Sequence, residues 1–274
     1  MPIYVPGKVT LKKEFTVQDY MWSFPQQYGL WSPAEISTAL WLDAADSSTV
    51  IAASGNVSQW NDKSGNGRNF LQGTSAAQPA YTPSSLNSRA VLGFDGADSL
   101  TSNFPLALTS ESIFVVTKFA SSSSAFGRFF TQSDAGNDYD TTGHYIPLIR
   151  NNSTATLASF AGGIMRSQVS LAYDTWGIAG SVHTGSLITN YINATAGTDS
   201  AHTLNKTFTR FALGILLGAG TDGFLNGSIA EVIVLSSAAT SITRQKIEGY
   251  LAHKWGLTAN LPSDHPYKTV GPTP

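Results

Sequence analysis

Residues 60–67, WNDKSGNG, place a carboxylate, a hydroxyl and an amide on alternate positions. Asp62, Ser64, Asn66 and Gly67 match the first, third, fifth and sixth positions of a calcium loop of the D-x-[DNS]-x-[DN]-G kind. In such a loop alternate side chains turn oxygens toward one cation and the glycine permits the sharp bend. The bidentate acid required at the twelfth position falls on Gly73, so EF-hand geometry fails. The favoured reading is a turn. Gly65 and Gly67 suit positive φ, Asn and Asp side chains close onto their own backbone, and Trp60 anchors the end of the preceding strand. Asp62 is the candidate metal ligand of this stretch.

Two further stretches carry acidic oxygens. FDGADSL (94–100) sets Asp95 and Asp98 around Gly96, and its simplest form is a hydrogen-bonded turn. SDAGNDYD (133–140) offers Asp134, Asn137, Asp138 and Asp140 to a hard cation. Tyr139 and His144 beside them can line a sugar subsite, since aromatic faces stack on sugar rings. Asp134, Asn137, Asp138, Tyr139, Asp140 and His144 are thus the ligand-binding candidates, against the plainer reading of a solvated loop tip.

Catalysis is not expected. Glycosidases need paired carboxylates, whereas Glu14, Glu35, Glu111, Glu231 and Glu248 stand isolated. Glu231, within the apolar AEVIV run, is the one tempting residue, and its plainer role is an ion pair with Arg210 or Lys254. No G-x-S-x-G elbow occurs, and the five histidines show no H-E-x-x-H spacing. There is no cysteine for a thiolate site or nucleophile. The formal net charge is −2, and no basic run exceeds Lys12-Lys13, which argues against nucleic-acid binding through phosphate neutralisation. No apolar run approaches the ~18 residues of a membrane span. The opening MPIYVPGKVTLKKEF lacks the basic-then-apolar order of a signal peptide, so synthesis in the cytoplasm is expected.

The elements that must position these residues are mostly strands. Hydrophobic residues make up 42% of the chain and charged residues 12%, against a typical charged share of about 25%. The polar surface therefore comes from Ser, Thr, Asn and Gly. Residues 1–30 read as an extended arm, either an extra edge strand or a segment that docks on a partner. Beyond them, short strands alternate with turn signals such as SGN, DKSGNG and LNGS, the pattern of a sandwich or barrel. Strands are expected at 39–42, 57–60, 90–94, 112–118, 127–131, 145–149, 155–160, 175–181, 186–192, 207–213 and 230–235. One helix is expected near 241–255, with Ser241 as cap, Ile247, Tyr250, Leu251 and Trp255 on one face, and Gly256 as its stop.

LWLDAADSSTV (40–50), VSQWNDKSGNGRNFLQ (57–72), QPAY (78–81) and FDGADSL (94–100) occur in a fixed order. They resemble the opening half of concanavalin A-like, laminin-G-like jelly-roll domains found in bacteriophage virion proteins and large bacterial surface proteins. GSIAEVIVLSS (227–237), ITRQKIEGYLAHKWGL (242–257) and LPSDHPYK (261–268) resemble the close of the same family. The resemblance implies an all-β fold: a concanavalin A-like jelly-roll sandwich of two antiparallel sheets with one C-terminal helix. It covers 31–268, leaving a 1–30 arm and a 269–274 tail. It also implies that residues 39–42 pair with 230–235, and that a calcium ion can sit at the rim on Asp95 and Asp98, though Ser99 replaces a second adjacent aspartate common in relatives. The function it implies is non-enzymatic: a virion structural protein, decorating a capsid or forming part of a tail or fibre, with an outward lectin-like domain. Expected partners are other virion proteins through residues 1–30, a second copy of the chain, and host glycans. Neither nucleic acid nor membrane insertion is expected. The expected location is the virion surface. The alternative is a carbohydrate-binding adhesion module of a bacterial surface protein. A glycoside hydrolase ranks below both.

Overall fold

A computed structural model describes residues 31–134, 145–151, 154–217 and 223–274. The arm at 1–30 and the candidates Asn137, Asp138, Tyr139, Asp140 and His144 lie outside the described residues. In chain order the strands are β1 (Leu40–Asp43), β2 (Val50–Ala53), β3 (Asn56–Trp60), β4 (Phe70–Leu71), β5 (Ala80–Leu86), β6 (Arg89–Asp95), β7 (Leu100–Leu108), β8 (Glu111–Phe119) and β9 (Arg128–Ser133). They continue as β10 (Tyr145–Arg150), β11 (Thr156–Ala161), β12 (Ile164–Ser170), β13 (Gly177–His183), β14 (Leu187–Ile192), β15 (Thr195–Ala196), β16 (Ser200–Ala201), β17 (Lys206–Leu213) and β18 (Asn226–Leu235). Helix α1 (Ser241–Trp255) follows.

One layer runs β14–β13–β8–β18, and β18 shares its far edge between β6 and β1. The other runs β12–β11–β10–β9–β17–β7. The strands β3, β4 and β5 close one side, because β5 pairs with β6, β4 with β7, and β3 with both. All pairings are antiparallel. This is the all-β jelly-roll sandwich with one helix that the sequence implied, and β1 meets β18 in the implied register, Leu40 opposite Val234 through Asp43 opposite Glu231.

Period-2 alternation divides the apolar residues between two cores. Ile113, Val115 and Phe119 of β8 point between the layers, while Phe114 and Val116 point to the opposite face, under α1. The same split holds in β18, except that a bulge between Ile229 and Glu231 inserts one residue. Ala230 and Glu231 consequently both turn toward the helix. An extra residue re-aims the side chains that follow it, and here it carries a carboxylate into the second core.

The helix buries Ile247, Tyr250, Leu251 and Trp255, as their spacing predicted, and Gly256 stops it at φ 71°. Its cap is Thr240 and not Ser241. Thr240 keeps an extended backbone and its Oγ1 accepts from Thr243 N at 3.1 Å, whereas Ser241 is already the first helical residue. The segment after the helix folds back on it, and His253 Nε2 donates to Tyr267 O at 2.9 Å. A β-carbon on Gly249 would lie 2.5 Å from that of Tyr267. Gly249→Ala gains about 1 kcal/mol of helix propensity but forces apart a filled contact, which costs about 1–3 kcal/mol. A lower melting temperature is expected in a thermal scan. An unchanged or higher value would show that Tyr267 moves aside freely. The tail is also seated: Trp31 N donates to Pro272 O at 2.8 Å.

Candidate functional site

The WNDKSGNG loop clamps the first strand. Asp62 Oδ1 accepts from Trp41 N and Ser64 N, and Oδ2 from Ser64 Oγ and Arg68 N. Asn66 Nδ2 donates to the carbonyls of Thr38 and Ala39. Lys63 Nζ lies 2.9 Å from Asp43 and 2.8 Å from Asp46. Its hydrogen bond is the main reason the Asp46 carboxyl falls to about 2. Burial works to lower Lys63, and the hydrogen bonds and charges of the two carboxylates outweigh it, leaving the amine raised.

Asp43 passes this charge inward. Lys254 Nζ sits 2.7 Å from both Asp43 and Glu231. Glu231, fully buried, also accepts from Trp41 Nε1 at 2.7 Å, Trp255 Nε1 at 2.6 Å and Tyr250 OH at 3.0 Å. Burial pushes Glu231 up against the pull of Lys254. Every polar neighbour named here is a donor, so the group accepts them as a carboxylate. Of the two partners the sequence offered for Glu231, the fold delivers Lys254. A carboxylate held by two indoles, a phenol and an amine is committed to structure.

The other candidates are dispersed. Asp98 Oδ2 accepts from Asp95 N at 3.0 Å, and Asp95 Oδ1 from Ala97 N at 2.8 Å, which makes the expected turn. Burial, with Asp95 beside it, raises Asp98 to about 6. Asp134 pairs with Lys206 at 2.9 Å. A hard cation takes six to eight oxygens, yet no group of three or more His, Cys, Asp or Glu side chains converges among the described residues. The oxygens of Asp62 are already taken, and Asp95 and Asp98 stand as a pair.

An open groove of about 590 Å³ lies beside the clamped loop, lined by Gln59, Asn66, Gly67, Arg68, Asn69, Leu71, Ser102, Asn103, Phe104 and Pro105. It forms where β4 meets β7, Leu71 opposite Thr101. Phe104 stacks on the buried Phe211 with ring centres 4.0 Å apart and planes 5° from parallel. The Arg68 guanidinium lies 4.7 Å from the Phe104 ring centre, and its Nη1 donates to Ala39 O at 2.7 Å. Asn66 and Asn69 are half-engaged in holding the loop. Asn103 is exposed and its amide is free. Amide donors and acceptors beside a guanidinium stacked on an aromatic ring are groups a hydroxyl-rich ligand can use. Of these residues the sequence offered only Asn66 and Gly67, and those as part of a metal loop.

A second polar group lies between the layers. Tyr145 OH and Ser181 Oγ are 2.8 Å apart, and Ser159 Oγ donates to Asn190 Oδ1 at 2.9 Å. Gly185 N donates to His183 Nδ1, so His183 Nε2 carries the hydrogen given to His202 Nδ1 at 2.8 Å. Burial, then His202 and Arg166, lowers His183 to about 4. Gln132 Nε2 donates to Glu111 Oε2 at 2.9 Å, while Glu111 Oε1 and Gln132 Oε1 have no partner. Burial raises Glu111 to about 8. Glu111 is buried away from solvent.

No protein-family model and no curated protein matches the sequence. Solved structures do match. Trypanosoma rangeli sialidase in complex with sialic acid aligns with a TM-score of 0.56 at 10% identity, over 80% of this chain and 33% of that one. The ligand binding domain of botulinum neurotoxin serotype D in complex with N-acetylneuraminic acid aligns at 0.50 and 12%, over 77% and 50%. Domain 4 of an extracellular arabinanase from Geobacillus stearothermophilus, in complex with arabinotriose, aligns at 0.50 and 14%, over 74% and 94%. What they share is the fold. This chain spans a third to a half of the first two, and nearly the whole of the third.

Proposed function

We propose that this chain is a non-enzymatic glycan-binding module that takes its ligand in the groove between the WNDKSGNG loop and β7. The observation that carries this is the lining: Gln59, Asn66, Asn69 and Asn103 around Phe104 and Arg68, in an open groove on a rigid sheet. The near-complete alignment with a domain solved in complex with arabinotriose supports it, as do the sialic acid complexes of the other two structures. A hydrolase has less support, because Glu231 is locked by its donors.

The finer reading rests on the order of motifs at 40–100 and 227–268. It makes the chain a bacteriophage virion component, on capsid, tail or fibre, with residues 1–30 attaching it and the groove facing outward toward host glycans. A bacterial adhesion module is the alternative. Mass spectrometry and immuno-electron microscopy of purified particles distinguish them: a regular position and copy number supports the virion role, and absence from particles leaves the adhesion module.

The binding claim is tested by screening the full chain on a glycan array and titrating the hits by calorimetry. Asn103→Ala removes an exposed, unpaired amide, so melting should not change. Affinity should fall about 5- to 30-fold, the worth of 1–2 kcal/mol. Failure of every sugar to bind at millimolar concentration would remove the proposal.

A further inference from the structure

The glycan-binding reading leaves open which sugars the groove selects, and Arg68 bears on that. Its guanidinium is pinned in two ways, by the Phe104 ring and by the Nη1 bond to Ala39 O. Among the described residues Arg68 makes no other side-chain hydrogen bond. The Nε–H and the Nη2 hydrogens, the two-donor edge of the fork, are unspent. That edge matches the two oxygens of a carboxylate, and a guanidinium held in place loses little freedom on using it.

The surroundings are consistent. The residues lining the groove include no Asp or Glu. Asp62 is the nearest acid in sequence, and its oxygens are taken by Trp41 N, Ser64 and the Arg68 backbone N–H, so it does not pair with the guanidinium. Lys63 is paired with Asp43 and Asp46, Lys254 with Asp43 and Glu231, and Arg244 with Glu248. Arg68 faces a cavity with its charge uncompensated.

Resting on the glycan-binding reading, we infer that the groove selects acidic sugars, with the ligand carboxylate on the Nε/Nη2 edge of Arg68 and the ring hydroxyls on Asn103, Asn69 and Gln59. The ligand class is a carboxylate-bearing saccharide, of the sialic acid or uronic acid kind. Sulfated sugars carry the same charge in a tetrahedral group, and the titration separates the two.

The test titrates the full chain with 3′-sialyllactose, lactose and 3′-sulfolactose, and with trigalacturonic acid against a neutral galactose trimer. The carboxylate sugars should bind at least 10-fold more tightly than their neutral counterparts, with the preference shrinking as salt is raised. Arg68→Gln should abolish the preference, bringing acidic and neutral sugars to the same affinity, and Arg68→Lys should restore less than half of it on a logarithmic scale. Equal binding of lactose and 3′-sialyllactose would overturn the inference and leave the glycan-binding reading standing. Preference for 3′-sulfolactose would overturn the carboxylate assignment. Failure of every sugar removes both. If Arg68→Gln does not fold, the acidic-against-neutral comparison and its salt dependence on the unaltered chain decide the matter.

Discussion

Glu231→Ala is expected to destabilise the folded chain by about 3–5 kcal/mol, the range for removing one partner of a buried ion pair. Trp41 Nε1, Trp255 Nε1 and Tyr250 OH lose their acceptor, and Lys254 keeps Asp43 as its carboxylate and the Tyr250 hydroxyl. Glu231→Gln should cost nearly as much despite its shape. Its amide oxygen can serve one side of the site, but its NH2 group faces donors on the other. A second comparison separates charge from packing. Replacing Glu231 and Lys254 together by apolar residues should cost less than the sum of the single changes, because each single variant leaves a buried partner uncompensated. Denaturant unfolding of the four proteins gives the coupling directly. A loss below about 0.5 kcal/mol for Glu231→Ala, the size of an ordinary surface change, would show that the network adds nothing to the join between β1, β18 and α1.

That network shows how much could be seen in the sequence. The strand AEVIVL and the helix stripe were legible because one face of each is continuously apolar. The pairing of Glu231 with Lys254 was one of two options, and distance in sequence gave no way to choose. Asp43 and Lys63 were invisible as partners, since only the register of β1 on β18 brings Asp43 opposite Glu231. Seven strands were not expected: the short β2, β4, β15 and β16, and the longer β5, β7 and β12. β5, AYTPSSL, and β12, IMRSQVS, are largely exposed or half-exposed and carry no hydrophobic pattern to detect. β7, LTSNFPLAL, hides its alternation behind Asn103 and the exposed Pro105. The groove escaped for the same reason. Arg68 comes from a loop and Asn103 from β7, and nothing local in either stretch announces that β4 will lie against β7.

Glu111→Gln should raise stability above neutral pH, the opposite of what removing a buried polar contact usually does. The folded value of Glu111, about 8, lies above its ordinary 4.5. Its contribution is therefore fully present below pH 4.5 and is lost as pH rises toward 8, by on the order of 3 kcal/mol at pH 7. His183 works the other way. Its folded value, about 4, lies below its ordinary 6.5, so stability is full above pH 6.5 and is lost as pH falls toward 4. The groups around Glu111 include His183 opposite it in the β8–β13 register, Gln132, and Tyr145, whose hydroxyl burial pushes up. Between pH 4.5 and 6.5 the slopes of Glu111 and His183 oppose each other, Asp98, raised to about 6, adds to the Glu111 side, and above pH 6.5 the unaltered protein should fall. The unpaired atoms point to the same protonation state. Glu111 Oε1 and Gln132 Oε1 are both acceptors without donors, and a hydrogen on Glu111 Oε1 serves the pair. A glutamine at 111 supplies that hydrogen permanently, as an N–H, and keeps a carbonyl for Gln132 Nε2. Above pH 6.5 its stability should stay flat to pH 9, crossing above the unaltered protein on the alkaline side. Chemical denaturation at half-unit pH steps would show this, and an alkaline limb that persists unchanged in Glu111→Gln would mean that another group carries it.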